Sequence, residues 1–229
     1  MMTPSPDSQP ASAPAPRPPI AVLPLGAHEQ HGPHLPFETD TLIAEGIAGR
    51  LKTALPAGLP VTFLPAESVG YSIEHMDVEG TKTLAFDEAV NRWLGIAERL
   101  AEQKIRKFVM LNAHGGNSPL MTIVATEARI RFAMLAVATS WTRFGLPDGV
   151  IRPQEKAIGI HGGDIETSVM LALHPDKSRH GGGGGLPLPA ERICRALQTS
   201  ARLRAARFRL EDVGSQPARR GGQRRGRDG

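Results

Sequence analysis

Cysteine is almost missing from this chain: its 229 residues include one, Cys194. A lone cysteine excludes an internal disulfide framework and any thiolate cage for a metal. No apolar run approaches the roughly 20 residues that span a bilayer. The opening MMTPSPDSQPASAPAPRPP has no apolar core of the kind a signal peptide carries. Neither secretion nor a membrane partner is indicated, and the cytoplasm is the expected compartment. There is no GxSxG elbow, and the single cysteine lies in an arginine-rich tail, so a serine or cysteine nucleophile is disfavoured. The glycine run at 181–185 is not followed by GKS or GKT, so it is no phosphate loop. A net charge of +4 is carried mainly by arginines between Arg192 and Arg227, while residues 21–178 are nearly balanced. The basic excess therefore belongs to the tail, and no nucleic-acid footprint is expected on the folded part.

What is present is an ordinary soluble composition, 40% hydrophobic and 22% charged. At this length one domain with a substantial core is the simplest organisation. Residues 1–19 are rich in Pro, Ala and Ser, which predicts disorder. Apolar runs predict strands over 20–26, 61–64, 108–111 and 134–138. Helical spacing covers 39–51, with Thr39 as a plausible N-cap, then 86–100, 119–132 and 164–173. Strands alternating with helices predict an α/β fold with a mostly parallel sheet between helical layers. In such sheets ligands gather where strands end and helices begin. The polar segments 26–40, 112–117 and 159–168 all lie at such points.

These segments hold the chemistry. AHEQHGPHLPFETD, residues 27–40, contains three of the eight histidines beside several carboxylate and amide side chains. If the segment stays extended, Glu29 and His31 face the same way, while His28 and His34 point elsewhere. Asp40 opens a helix, where a carboxylate is also favoured by the helix dipole alone. His114 sits in the glycine-rich NAHGGN turn; its coincidence with the first cluster raises it from turn residue to candidate ligand. In HGGDIETS, His161 precedes two glycines and Glu166 lies in the first helical turn, where Asp164 or Thr167 could serve as caps. Glu29, His31, Asp40, His114 and Glu166 suffice for two divalent cations sharing a bridge. Nitrogen and oxygen donors without sulfur suit Zn²⁺, Mn²⁺ or Fe²⁺ better than Ca²⁺. Two such ions about 3.5 Å apart activate water and polarise a carbonyl, which is the chemistry of amide C–N hydrolysis. His161, if not a ligand, could carry the proton to the leaving nitrogen.

EQHGPHLPFETD, NAHGGN and HGGDIETSVMLALHPD together resemble the creatininase (creatinine amidohydrolase) family over roughly residues 20–178. The resemblance implies a three-layer α/β/α sandwich, a dinuclear centre of Zn²⁺ with Mn²⁺ or Fe²⁺, and a homohexamer. It assigns metal binding to Glu29, His31, Asp40 (the bridge) and His114, and proton transfer to His161. Creatininase proper has a glutamate ligand where this chain has Gly116, and Glu166 is the candidate replacement. Ile160 also stands where creatininase proper has a glutamate. GYSIEHMDVEGT, at 70–81, is similar to the substrate-side loop of the wider family. The implied activity is hydrolysis of a small cyclic amide, as of creatinine to creatine, or of a formamide. The alternatives are a metallopeptidase trimming a short cofactor-precursor peptide, or a metal-binding but inactive product. The last arises because residues 179–229 form an atypical Gly/Arg-rich tail. A back-translation of Arg209–Pro217 shifted by one base ends in the family's DLNP. The tail is therefore expected to be a frameshifted, poorly ordered family C-terminus.

Overall fold

The computed structural model describes residues 17–146 and 151–178. The expectations for the N-terminal segment up to residue 16 and for the 179–229 tail lie outside the described residues. Four strands form one all-parallel sheet: β1 (Ile20–Leu25), β2 (Val61–Phe63), β3 (Lys107–Asn112) and β4 (Leu135–Ser140), in the order β2-β1-β3-β4. Five α-helices accompany them among the described residues: α1 (Thr39–Ala54), α2 (Phe86–Glu102), α3 (Ser118–Phe132), α4 (Pro153–Ile158) and α5 (Asp164–Leu173).

Strand alternation sorts the core into two clusters. Ala21, Leu23, Leu25, Phe108 and Met110 face one way and pack with Trp93 and Ala97 of α2 and Leu120, Val124 and Ala128 of α3. Val22 and Leu111 face the other way, against Ile43, Ala44 and Ala48 of α1 and Val169 and Met170 of α5. The result is the expected three-layer α/β/α sandwich. Each fully buried Leu, Ile, Met or Phe contributes about 1.5–3 kcal/mol relative to exposure, so these two clusters hold the sheet and helices together. No helix among the described residues is long and apolar enough to cross a membrane.

The strand order places a switch point between β1 and β3. From β1 the chain goes to β2 on one side; it then returns to β3 on the other. The loops leaving β1 and β3 therefore diverge and open a crevice at the strands' carboxyl ends. Register brings them level: Leu25 pairs with Asn112, and the Ala113 N–H donates to the Leu25 carbonyl at 2.8 Å.

Two local expectations are corrected. Thr39 does not cap α1: its hydroxyl donates backwards to the Pro36 carbonyl at 2.6 Å, and the N-cap position is Glu38, without a side-chain cap. The short helix α4 was not anticipated. Its six residues are too few to display helical periodicity.

Candidate metal centre

The segment after β1 stays extended, as required for Glu29 and His31 to share a face. Ala27, Glu29 and His31 are buried, while His28 and Gln30 between them are only part-buried. Glu29 is fixed by its N–H donating to the Phe37 carbonyl at 3.1 Å, and the His28 carbonyl accepts from Lys82 N–H at 2.9 Å. His28 turns outward beside Phe37 and Glu38, and His34 bonds Thr167 at 2.9 Å, so neither enters the crevice. Asp40 enters from the first turn of α1, His114 from the turn after β3, and Glu166 from the first turn of α5.

All six residues singled out in the sequence meet in this crevice. His31 Nε2 lies 3.2 Å from Asp40 Oδ1, while His114 Nδ1 lies 3.3 Å from Asp40 Oδ2 and 3.1 Å from Glu29 Oε1. Asp40 thus turns one oxygen to each of two histidines, the disposition of a bridging carboxylate. Glu166 shares a donor cluster with His31 and Asp40, and His161 shares one with Glu29 and His31; donor atoms within each cluster lie within 4.8 Å of one another. Gly162 supports this arrangement. Its φ of +62° bends the chain back over His31, and its N–H donates to Glu166 Oε2 at 2.6 Å.

Each of three imidazoles is oriented by a backbone carbonyl. His31 Nδ1–H donates to Glu29 O at 3.0 Å, His114 Nε2–H to Tyr71 O at 2.9 Å, and His161 Nε2–H to Gln30 O. Their remaining nitrogens face the carboxylates. Outer hydrogen bonds of this kind hold metal-ligating histidines in the correct tautomer.

Glu29 and His31 are 0% exposed, Asp40 1% and His114 4%. Both Glu29 oxygens and Asp40 Oδ2 are nevertheless buried without a hydrogen-bond partner, their histidine neighbours lying at ion-pair distance only. Burying carboxylates is costly unless a cation compensates them. Without one, protons do the work. Burial alone would raise Asp40, yet His114 and His31 outweigh it and hold its carboxyl at about 2. Burial alone would lower His114, but Asp40 and Glu29 push it up to about 10. Glu29 is lowered by His114 against its burial, and His31 is raised by Asp40 against its own. Glu166 is raised, by burial and then by the neighbouring Asp40 charge. Orphaned buried carboxylate oxygens facing imidazole nitrogens, with no sulfur present, form a donor set that fits divalent transition metals.

Three contributors carried no role in the sequence reading. Glu74 joins Glu29 and His114 in a third donor cluster. His75 Nε2 lies 3.5 Å from Glu29 Oε1, and its ring stacks on His161 at 4.4 Å. Asn117, fully buried, ties three loops together: Nδ2 donates to Gly26 O (3.0 Å) and Asn112 Oδ1 (3.1 Å), while Oδ1 accepts from Tyr71 N–H (2.9 Å). The hint to the first two was the likeness of GYSIEHMDVEGT, at 70–81, to the family's substrate-side loop, which singled out neither residue. Asp164, a candidate cap, instead pairs with Arg152. Beside Glu166 and His161 a cleft of about 320 Å³ opens, lined also by Ser118, Ser140, Trp141 and Glu155.

Comparison with known proteins follows the same outline. The profile described as "Creatinine amidohydrolase" matches residues 8–182. A mycofactocin precursor peptide peptidase from Mycolicibacterium smegmatis is 32% identical over 160 residues, covering 69% of this chain and 59% of that protein. A creatinine amidohydrolase from Pseudomonas putida is 29% identical over 173 residues, covering 69% and 65%. The chain therefore spans about three fifths of the length of these relatives. Among solved structures, a candidate creatinine amidohydrolase from Bacteroides fragilis superposes with a TM-score of 0.69 at 21% identity, covering 89% of this chain and 93% of that one. Creatininase structures of manganese and Zn–Zn type share the fold at 22% and 23% identity, each with a TM-score of 0.63.

Proposed function

Because the chain belongs to the creatininase family, we propose that it is a dinuclear metal-dependent amidohydrolase that cleaves the C–N bond of a small cyclic amide or formamide. The observation that carries this reading is the pair of buried carboxylates, Glu29 and Asp40, whose partnerless oxygens face imidazole nitrogens. Glu29, Asp40 and His114 would hold one divalent ion; His31, Asp40 and Glu166 would hold the other. The expected ions are Zn²⁺ with Mn²⁺ or Fe²⁺, in keeping with the manganese and zinc forms of creatininase. Such ions supply Lewis acidity to the amide carbonyl and increase the acidity of the attacking water.

The protein's own residues do the rest. The cleft beside Glu166 receives the substrate, with Ser118 and Ser140 offering hydroxyls to its polar edge. Water oxygen bonds to the carbonyl carbon, the C–N bond breaks, and the departing nitrogen takes a proton. His161 takes at Nδ1 the proton that the attacking water gives up and passes it to that nitrogen. It is more exposed than Glu29, its Nε2–H is held by Gln30 O, and its Nδ1 lies 3.5 Å from Glu29 Oε1. The family's hexameric assembly belongs to the same proposal and is checked by light scattering on the full chain.

A second reading is favoured by the relatives: mycofactocin precursor peptide peptidases match at 31–34% identity, against 29% for the creatinine amidohydrolase. That reading makes the substrate the end of a short peptide. Assays of zinc- and manganese-loaded protein with creatinine, a formamidopyrimidine and short peptides separate the two. Turnover of creatinine or the formamide supports the leading reading, and turnover of peptides alone replaces it. Full metal loading with no turnover of any would indicate a metal-binding, inactive product.

A further inference from the structure

We propose that Glu74, reaching in from the loop between β2 and α2, is a further metal ligand on the His114 side of the centre. The inference rests on the dinuclear reading above and adds a residue to it. Three observations carry it. First, Glu74 Oε1 lies 3.7 Å from His114 Nε2, on the edge of the ring away from the Nδ1 that faces Glu29. It shares a donor cluster with His114 and the fully buried Glu29, whose two oxygens have no hydrogen-bond partner. Glu29 and Glu74 approach the two nitrogens of one imidazole, and a divalent cation among the three groups would compensate both carboxylates.

Second, Glu74 occupies space that a side chain at position 116 would need. A Cβ built on Gly116 would fall 2.5 Å from Glu74 Oε1, 2.3 Å from Tyr71 O and 2.5 Å from His114 Nε2. No side chain fits at 116 while the 71–74 segment holds its place. The glycine in the β3–α3 turn and the glutamate in the β2–α2 loop are thus two halves of one arrangement: one vacates the position, the other brings a carboxylate into it.

Third, the loop that carries Glu74 is fastened to the centre. Tyr71 N–H is held by Asn117 Oδ1 at 2.9 Å, Tyr71 O orients His114, and Ser72 N–H donates to Thr83 Oγ1 at 2.8 Å. A side chain that met His114 only by chance would not need its backbone tied to the same histidine. Among the described residues His114 is the one basic group at ion-pair distance from Glu74. With its side chain 42% exposed, Glu74 stands at the mouth of the centre, between His114 and solvent.

The test is zinc binding by the full chain, stripped with chelator and titrated in competition with a chromophoric chelator. Wild type is expected to take up two ions. Glu74→Gln, which keeps the side-chain shape, is expected to weaken one site at least about tenfold, the loss typical when a group supporting a bound metal is removed, and to leave the other unchanged. The visible spectrum of the cobalt(II)-loaded variant should also change, which a merely structural role would not produce. If Glu74→Gln binds both ions as wild type does, with an unaltered cobalt spectrum, Glu74 is not a ligand and the dinuclear reading stands without it. If wild type itself takes up no zinc, the dinuclear reading fails instead. Should Glu74→Gln not fold, Glu74→Asp, one methylene shorter, gives the same comparison.

Discussion

Asn117→Asp preserves the size and shape of a side chain that touches no substrate, yet it should be at least as damaging as Asn117→Ala. The reason is the direction of its three hydrogen bonds. Nδ2 donates to Gly26 O and Asn112 Oδ1, and Oδ1 accepts from Tyr71 N–H. In the alanine variant Gly26 O and Tyr71 N–H lose their side-chain partner, while Asn112 Oδ1 still accepts from His114 N–H at 3.1 Å. Two stranded groups at roughly 1–3 kcal/mol each give a loss of about 2–6 kcal/mol. For a chain of this size that corresponds to a fall in Tm of roughly 5–20 °C. Aspartate replaces the donor with a third oxygen facing two acceptors about 3 Å away, in a site with no exposure to water. It strands Gly26 O, sets like-charged oxygens against one another and adds a buried charge. Asn117→Ala also frees the Tyr71 segment whose carbonyl orients His114, so its metal content should fall with stability, whereas Asn117→Asp still accepts from Tyr71 N–H through Oδ1. Differential scanning calorimetry and metal analysis of the two variants beside wild type are the assay. An Asn117→Asp protein melting within a degree or two of wild type, or clearly above Asn117→Ala, would refute the reasoning.

Further expectations concern the centre itself. Asp40→Asn removes the carboxylate that faces both His31 and His114, and the protein should lose both ions while still folding; retention of one ion at wild-type affinity would show that Asp40 is not shared. His161→Ala should keep its metal content and lose most turnover, about a hundredfold or more for a positioned proton-transfer group; loss of metal instead would make His161 a ligand. In the metal-free protein, His114 at about 10 lies above its ordinary 6.5, so its contribution to stability is complete below pH 6.5 and is lost as pH rises through 10. Asp40 at about 2 lies below its ordinary 3.8, so its contribution is complete above pH 3.8 and is lost as pH falls through 2. Metal must displace the His114 proton, so binding should release protons and the zinc-induced gain in Tm should grow from pH 6 to pH 9. A gain independent of pH would contradict that linkage.

The α/β alternation was legible because β1 and β3 are nearly continuous apolar runs and α2 carries Trp93, Leu94, Ala97 and Leu100 at helical spacing. The candidate ligand segments were legible because His and carboxylate residues concentrate just after β1 and β3 and before α5. Glu74 and His75 were not, since a loop has no period from which a facing direction can be read. Asn117 was not either: a buried asparagine in a glycine-rich turn looks like a turn residue until its partners on two other loops are known. Thr39 misled in the opposite sense, because a threonine at a helix start is an ordinary cap unless a carbonyl behind it, here that of Pro36, claims the hydroxyl first.

Metal analysis of the purified full chain, expressed with zinc and manganese supplied, is the most direct test of a dinuclear centre. Two divalent ions per chain are expected, and both should be lost in Asp40→Asn. Fewer than one ion per chain in the wild-type protein would contradict the metal centre altogether.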